Sequence, residues 1–272
     1  MAIVVTDDGS TDESAEWIHA NHPDVHVLAG SGTLWWSGGM NQGARYGLQV
    51  LNADYILCWN NDILCDSNYF SNLSRLLYSE PRPTLLGSKI YLLDPPNVVW
   101  AMGCSYDPRT GRHVLIGSWH VDCDALSVPI QADWTPGMGT VLSRDVFQRI
   151  GFWDAAAFPQ YHGDSDFCLQ AKHAGFRLII EPELRVWNDK SSSGIRHGEH
   201  LLPFLRSFVR LNSNYHFRTQ WRFCRRHGSS WRAYRHLVFF YLGYIAGFLK
   251  WSVLKLIGIK RRRPPVRKEL CA

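Results

Sequence analysis

The seven cysteines of this chain form no C-x-x-C pair, and its twelve histidines form no H-E-x-x-H pair and no H-x-x-x-H pair on one helix face. Such short spacings are typical of zinc ligands, so a zinc centre is not expected. The odd number of cysteines shows no disulfide framework, which favours a reducing compartment. The first residues carry acids where a signal peptide has basic residues, so no secretory leader is expected.

Acidic residues almost vanish after residue 195. Residues 196–272 hold 17 Arg and Lys against two acids, whereas residues 1–195 hold 12 against 22. An acidic body is not typical of an enzyme that acts on nucleic acid, so we expect no nucleic-acid partner. The charge pattern predicts a catalytic body over residues 1–195 and a basic, aromatic, helical tail over residues 196–272.

Long uncharged hydrophobic runs are also missing. The run His236–Leu249 ends at Lys250 and is shorter than the roughly 20 residues that span a bilayer. Its aromatic residues with flanking Arg and Lys are typical of a helix that lies in the membrane interface. The basic end KRRRPPVRK favours an anionic membrane surface as partner. We therefore expect a cytoplasmic protein, peripheral on the inner face of the cell membrane.

The chain does have a regular alternation of short apolar runs with helix-like segments. This alternation predicts an α/β fold whose parallel or mixed sheet carries helices on both faces. Residues 88–134, which several prolines interrupt, are predicted to form strands and loops inserted beside the sheet. The predicted strands are Ala2–Thr6, Val25–Leu28 and Tyr55–Trp59, and the predicted helices are Glu13–Asn21, Asn41–Leu51 and Asn68–Tyr78.

Two acidic clusters directly follow predicted strands. Asp7 and Asp8 follow the first, and Asn60, Asn61 and Asp62 follow the strand at Tyr55–Trp59. Ligands of such sheets bind at the carboxyl ends of strands, so the first pair suits a nucleotide and Asp62 suits Mg²⁺ or Mn²⁺ on a diphosphate. The alternative for both clusters is a polar turn or helix cap.

The segment WWSGGMNQG predicts a loop that leads into a helix. Its glycines, Gly39 among them, would let a ligand approach the backbone, and Asn41 could bond to a sugar or base. The alternative is a tight turn with two tryptophans in the core. A later polar loop that includes Lys190 could close over phosphate, or it is a surface loop.

The run GDSDFCLQAKHAGF places Asp164 and Asp166 at the start of a predicted helix. A carboxylate is favoured there by the free N–H groups and the helix dipole. We expect Asp166 to cap the helix from Phe167 onward and to leave Asp164 free as a reactive group.

Taken in order, DDGSTD, WWSGGMNQG, WNND, GMGTVLSRDVFQRIGFWD and GDSDFCLQAKHAGFRL resemble the family-2 (GT-A fold) glycosyltransferases, in particular their rhamnosyltransferase-like branch. The resemblance covers roughly residues 2–195. It implies a nucleotide site at Asp7, Asp8, Gly39, Asn41 and Asn61, a divalent metal at Asp62, and Asp164 as the catalytic base.

Three departures from the family pattern are visible. Asn60 replaces the first carboxylate of the metal motif, and Gly163 replaces the Glu that precedes the base. The family also has a strand and helix before DDGS, so a truncated chain or a misassigned start is expected here.

The resemblance implies an inverting transfer of a sugar, with rhamnose one candidate, from a nucleotide-diphosphate sugar to a hydroxyl of a cell-surface or lipid-linked glycan. One rival is a truncated, non-catalytic relative that only binds. Another is a nucleotidyltransferase, but the glycine-rich and basic N-terminal loop typical of that class is not seen.

Overall fold

A computed structural model of the chain describes residues 1–79, 82, 84–189 and 200–257. These residues form an α/β structure. Its strands are β1 Val4–Asp7, β2 His26–Ala29, β3 Tyr55–Cys58, β4 Ile63–Cys65, β5 Leu85–Leu92, β6 Val98–Ala101, β7 Cys104–Asp107, β8 Arg112–Leu115, β9 His120–Val121, β10 Ile130–Ala132, β11 Thr140–Ser143 and β12 Leu178–Asn188. Its α-helices are α1 Ser14–Asn21, α2 Trp35–Gln49, α3 Tyr69–Leu77, α4 Arg144–Ile150, α5 Gly163–His173, α6 Leu201–Ser207, α7 Phe217–His227 and α8 Trp231–Leu256.

The main sheet is mixed, and its central order is β10-β12-β5-β11-β3. β5 and β12 run parallel, whereas β11 is antiparallel to both β5 and β3. Every residue of β5 is buried, because α2, α4 and α5 cover one face of the sheet and α3 covers the other. The predicted mixed sheet with helices on both faces is confirmed. The expectation that residues from 88 onward lie beside the sheet is wrong for β5, which lies at its centre.

A second, two-stranded sheet pairs β1 with β2 in parallel. It is joined to the main sheet by α2, which packs against both β1 and β3. Gly39 and Gly43 of α2 face Thr6, and Gly47 faces Ile56. Because these three positions are four residues apart, they form one face of the helix, where the absence of side chains allows close contact with both strands.

Two predicted helix starts are wrong. The segment predicted as a loop up to Gly39 is helical from Trp35, since its glycines serve packing rather than a turn. α5 begins at Gly163, not after Asp166, and no side chain caps it. The residue before its first turn, His162, is in the left-handed region with φ 66°. Asp164 and Asp166 therefore both lie in the first turn of α5.

The tail forms three helices. α8 is 26 residues long and continues through Lys250. By length and composition it is the one helix among the described residues that could cross a membrane. The mean hydropathy of its most apolar 18-residue segment is 1.6, and 6% of that segment is buried in the protein. The helix thus extends beyond the uncharged run His236–Leu249 at both ends. The KRRRPPVRK end and the loop with Lys190 lie outside the described residues.

Five cysteines are free: Cys58, Cys65, Cys104, Cys168 and Cys224. Cys123 takes part in a disulfide. The expectation that the chain has no disulfide is wrong at this residue.

Candidate active site

The carboxyl end of β3 and the glycine-rich approach to β11 lie side by side. Cys58 of β3 is paired with Thr140 of β11, and the Gly139 N–H donates to the Cys58 carbonyl at 2.9 Å. The WNND segment that follows β3 is therefore next to Gly137–Gly139. Antiparallel pairing thus brings together two motifs that are almost 80 residues apart in the chain.

Asp164 lies at this edge of the sheet, half-buried in the first turn of α5. Its carboxylate accepts hydrogen bonds from the backbone N–H groups of Ser165, at 2.7 Å, and Gly137. Burial raises the pKa of Asp164 to about 6, although these hydrogen bonds act in the opposite direction. A carboxylate with such a pKa is ionised at neutral pH and still basic enough to take a proton.

Trp36 connects the elements around Asp164. Its indole Nε1–H donates to the Asn60 side-chain oxygen at 3.1 Å. Its ring lies against Gly137 and Gly163, and a Cβ atom at Gly137 would overlap it. The sequence pointed to this tryptophan only as part of a loop or a core, whereas the structure places it beside the helix start that carries Asp164.

The close packing of α2 explains why position 163 is a glycine. A Cβ atom there would overlap the Ser37 hydroxyl oxygen and would lie 3.3 Å from the Trp36 ring. Ser37 is itself held by donating to the Phe158 carbonyl at 2.6 Å. The space next to Asp164 is thus filled by α2, and no second acidic side chain fits at position 163 in this arrangement.

Asp62 lies exposed in the turn between β3 and β4. Asn60 is committed to Trp36, so its amide oxygen is already an acceptor. Asn188, which the sequence assigned to the polar loop with Lys190, is instead the last residue of β12 and lies beside Ile63 in the β4–β12 pairing. Only this long-range register shows that position.

The metal site expected at Asp62 has few protein ligands. Within the described ranges, no group of three or more His, Cys, Asp and Glu side chains lies close enough together to hold a metal. A single carboxylate is compatible with Mg²⁺, which commonly takes one or two carboxylates and completes its shell with substrate phosphate and water. The residues therefore fit a metal ion whose remaining ligands come from a bound diphosphate and water. They do not fit a site in which the protein supplies all the ligands.

The two acids after β1 differ in what they bind. Asp7 accepts from the Ser10 N–H at 2.9 Å, and the Ser10 hydroxyl and the Gly9 N–H also bind it. Asp8 accepts from the Gly32 and Leu34 N–H groups, each at 2.7 Å, and from Trp35 N–H at 3.2 Å. Both acids therefore make turn contacts: those of Asp7 stay within its own turn, whereas Asp8 holds the loop that leads into α2.

Three further residues were predicted to contact the nucleotide. Gly39 faces Thr6, whose hydroxyl donates to the Gly39 carbonyl at 3.1 Å. Asn41 exchanges two hydrogen bonds with the backbone of Trp153, at 2.8 and 2.9 Å. For both residues the structure gives packing roles in place of an open ligand contact. Asn61 is exposed in the turn beside Asp62.

Asp166 is not a cap but the centre of a buried polar cluster. It is 1% exposed, and it accepts from Gln170, Arg226 and His227. The ring of Phe223 on α7 also stacks on His162 at 4.2 Å, and burial lowers the pKa of His162 to about 3. The helix that carries Asp164 is thus fastened to the tail.

This geometry can be compared with that of known proteins. Residues 1–100 match the family model described as "Glycosyl transferase family 2". The first 100 residues of the chain are thus similar to the family-2 glycosyltransferases. A curated relative, the low-salt glycan biosynthesis hexosyltransferase Agl10 of Haloferax volcanii, is 26% identical over 179 residues. That alignment covers 64% of this chain, and the chain spans about half (54%) of the relative.

A solved structure supports the GT-A fold of the chain. The crystal structure of GalNAc-T7 with UDP, GalNAc and Mn²⁺ superposes with a TM-score of 0.51 at 14% sequence identity. The superposition covers 69% of this chain and 37% of the other. The fold expected from the order of the motifs is confirmed.

Proposed function

We propose that the chain is a family-2 glycosyltransferase that moves a sugar, with inversion, from a nucleotide-diphosphate sugar to a hydroxyl of a glycan or lipid-linked acceptor. The observation that carries the proposal is Asp164, a half-buried carboxylate with a pKa of about 6 at the edge of the sheet. It would take the proton of the acceptor hydroxyl as that oxygen attacks the anomeric carbon from the face opposite the diphosphate.

The environment of Asp164 supports this role. The N-terminal turn of α5 favours the ionised form, whereas burial keeps the carboxylate basic. The backbone N–H groups of Ser165 and Gly137 hold the carboxylate in place. With the position fixed, little reorganisation is needed when the acceptor hydroxyl binds.

The donor would bind between Asp7, whose hydrogen bonds stay within its own turn, and the turn with Asn61 and Asp62. The GalNAc-T7 structure carries UDP and Mn²⁺, in line with a divalent ion and a nucleotide at this edge. An ion held by Asp62 and the diphosphate would offset the negative charge that develops on the leaving group. Rhamnose as the sugar rests on the family resemblance alone.

The two-part division of the chain completes the proposal. Residues 1–195 would supply the site, and residues 196–272, with their excess of basic residues, would hold the protein on the inner face of the cell membrane. Lipid-linked acceptors are found at such a surface. Nucleic acid is not part of the proposal.

The experiment is a transfer and hydrolysis screen over nucleotide sugars, with and without Mn²⁺, on the wild type, Asp164→Asn and Asp62→Asn. Asp164→Asn is expected to abolish turnover and to keep donor affinity, because the base does not bind the donor. The matched control is Asp145→Asn, which removes an exposed carboxylate from the first turn of α4. Equal turnover in wild type and Asp164→Asn would refute the base assignment.

A non-catalytic binding protein is the second candidate, and one observation favours it. Asp62 is the single carboxylate of the metal motif, and Asn60 is occupied by Trp36. A protein of this kind would bind a nucleoside diphosphate in calorimetry yet turn over none of the donors at any Mn²⁺ concentration. Donor turnover that depends on Asp164 excludes it.

A further inference from the structure

The side of α8 that points away from the protein is apolar. Val238, Leu242, Ile245, Leu249 and Val253 follow each other at spacings of three or four residues, which places them on one stripe. We call this stripe the outer face of α8. Leu242, Leu249 and Val253 are 52%, 58% and 59% exposed. Large side chains in such a row cost free energy in water, so the outer face has the character of a contact surface.

α6 extends this surface. Its Leu201, Leu202 and Leu205 are all exposed. The helix lies against α8, because Phe204 stacks on Phe248 with ring centroids 4.0 Å apart. Two neighbouring helices therefore expose leucines to solvent on one continuous surface. Single exposed apolar residues are common on soluble proteins, but a contiguous patch of them is not.

The opposite side of α8 is occupied by the protein itself. Tyr244 stacks on Tyr215 at 3.5 Å and shares a hydrogen bond of 2.9 Å with Ser207. The Tyr241 hydroxyl donates to the Tyr215 carbonyl at 3.1 Å. At its start, α8 is tied to the β7–β8 hairpin, where Ser230 donates to the Arg109 carbonyl. A helix bound along one side in this way cannot be surrounded by lipid without losing these contacts.

The charge of the segment identifies the partner. Residues 200–257 hold eight Arg and two Lys and no Asp or Glu. An apolar helix face with basic residues nearby is typical of segments that insert into the surface of an anionic bilayer. A second copy of the chain would bring two basic segments together, and like charges at close range repel.

We propose that the outer face of α8 and the leucines of α6 dock the protein on an anionic lipid surface, with α8 lying parallel to the membrane plane. In this arrangement the side of α8 that carries Tyr241 and Tyr244 keeps its contacts with the protein. The outer face enters the boundary between lipid head groups and acyl chains. The benefit of such docking rests on the proposed function, because a lipid-linked acceptor would lie at that surface. Its test, however, needs no sugar transfer.

The test is flotation of the full chain with vesicles of phosphatidylcholine alone and of phosphatidylcholine mixed with phosphatidylglycerol. We expect binding to the mixed vesicles that weakens with salt, and weaker binding to the neutral ones. Leu242→Glu and Leu249→Glu should each lower the partition coefficient roughly tenfold or more, because each replaces buried apolar area with a charge. The matched control, Val114→Glu, changes an exposed valine on β8 and should bind as the wild type does.

Three results would overturn the proposal. The first is equal flotation of Leu249→Glu and wild type, with equal melting temperatures showing that both are folded. The second is resistance of the bound protein to alkaline carbonate extraction, which would mean that α8 crosses the bilayer. The third is a concentration-dependent dimer that Leu249→Glu dissociates, in a protein that does not float, which would assign the outer face to a second copy.

Discussion

Arg226 of α7 binds both carboxylate oxygens of Asp166 on α5, each at 3.1 Å. Its second amino group reaches Asp154 at 2.7 Å, and the next residue, His227, also binds Asp166, at 2.7 Å. Asp166 lies two residues after Asp164, in the same helical turn. The tail is therefore anchored directly to the turn that holds the proposed base.

Removal of this anchor should destabilise the protein. In Arg226→Met, the buried Asp166 loses its guanidinium donor but keeps the hydrogen bonds to His227 and Gln170. We expect a loss of about 2 kcal/mol in the free energy of unfolding, a typical cost for a hydrogen bond to a charged group. Urea denaturation measures it. Arg225→Met, at an exposed neighbouring position, should change stability by less than about 0.5 kcal/mol, and an equal loss in both variants would contradict the anchor.

The pH dependence of transfer should follow Asp164. Burial raises the pKa of its carboxyl to about 6, and only the ionised form can accept a proton. The value of kcat/KM should therefore fall as the pH drops through about 6 and should level off above that pH. The measurement is kcat/KM between about pH 5 and about pH 8. An inflection that survives in the residual activity of Asp164→Asn would show that another group titrates.

Two glycines of α2 should respond in opposite ways to substitution by alanine. At Gly39 the nearest atom to a new Cβ is 3.9 Å away, on Thr6, so alanine should stabilise the helix by up to about 1 kcal/mol. At Gly47 a new Cβ would lie 2.8 Å from Ile56 Cδ1. This steric overlap should offset the gain in helix stability.

Thermal unfolding of the two variants gives the comparison. Gly39→Ala should melt above Gly47→Ala. If Gly39 has only the packing role, Gly39→Ala should also bind a nucleoside diphosphate as the wild type does in calorimetry. Loss of that affinity in a stable protein would restore Gly39 to the nucleotide site.

A side chain at position 163 should displace α2 rather than add to the site. Gly163→Ala places a methyl group against Ser37 Oγ and the Trp36 ring, and overpacking of this kind costs about 1–3 kcal/mol. Gly163→Glu should therefore lower transfer rather than raise it. Gly247→Ala, in open space on α8, is the control and should not destabilise.

The Ser37 contact can be isolated by a double-mutant cycle. Because Ser37→Gly frees the space at Gly163, Gly163→Ala should cost less in that background, and the two changes should not add. Strict additivity of the two unfolding free energies would place the cause elsewhere.

The local pattern of apolar and polar residues was sufficient to predict much of the fold. The β-branched run at Val4–Asp7 and the apolar run at Tyr55–Cys58 both form strands, as predicted. The start of α2 was missed because glycines normally interrupt helices, whereas Gly39, Gly43 and Gly47 here face strands that come from distant parts of the chain.

The same limit applies to the site. Asp164 was proposed as a reactive group from a motif that is contiguous in the sequence. The neighbours of Trp36 and Asn188 could not be predicted, because their contacts with Asn60 and Ile63 join distant parts of the chain. Asp166 was predicted as a cap because the basic residues that bind it belong to α7, about 60 positions later.

The separation of the β1–β2 sheet from the main sheet has a consequence for motion. No residue of β1 or α1 is buried, whereas β5 is buried throughout. Local opening is least costly where few apolar contacts are lost, so backbone amides of Val4–Asp7 should exchange with solvent sooner than those of β5. Asp7 and Asp8 thus belong to a layer that can open transiently, while the turn of α5 that carries Asp164 stays ordered between the main sheet and the tail.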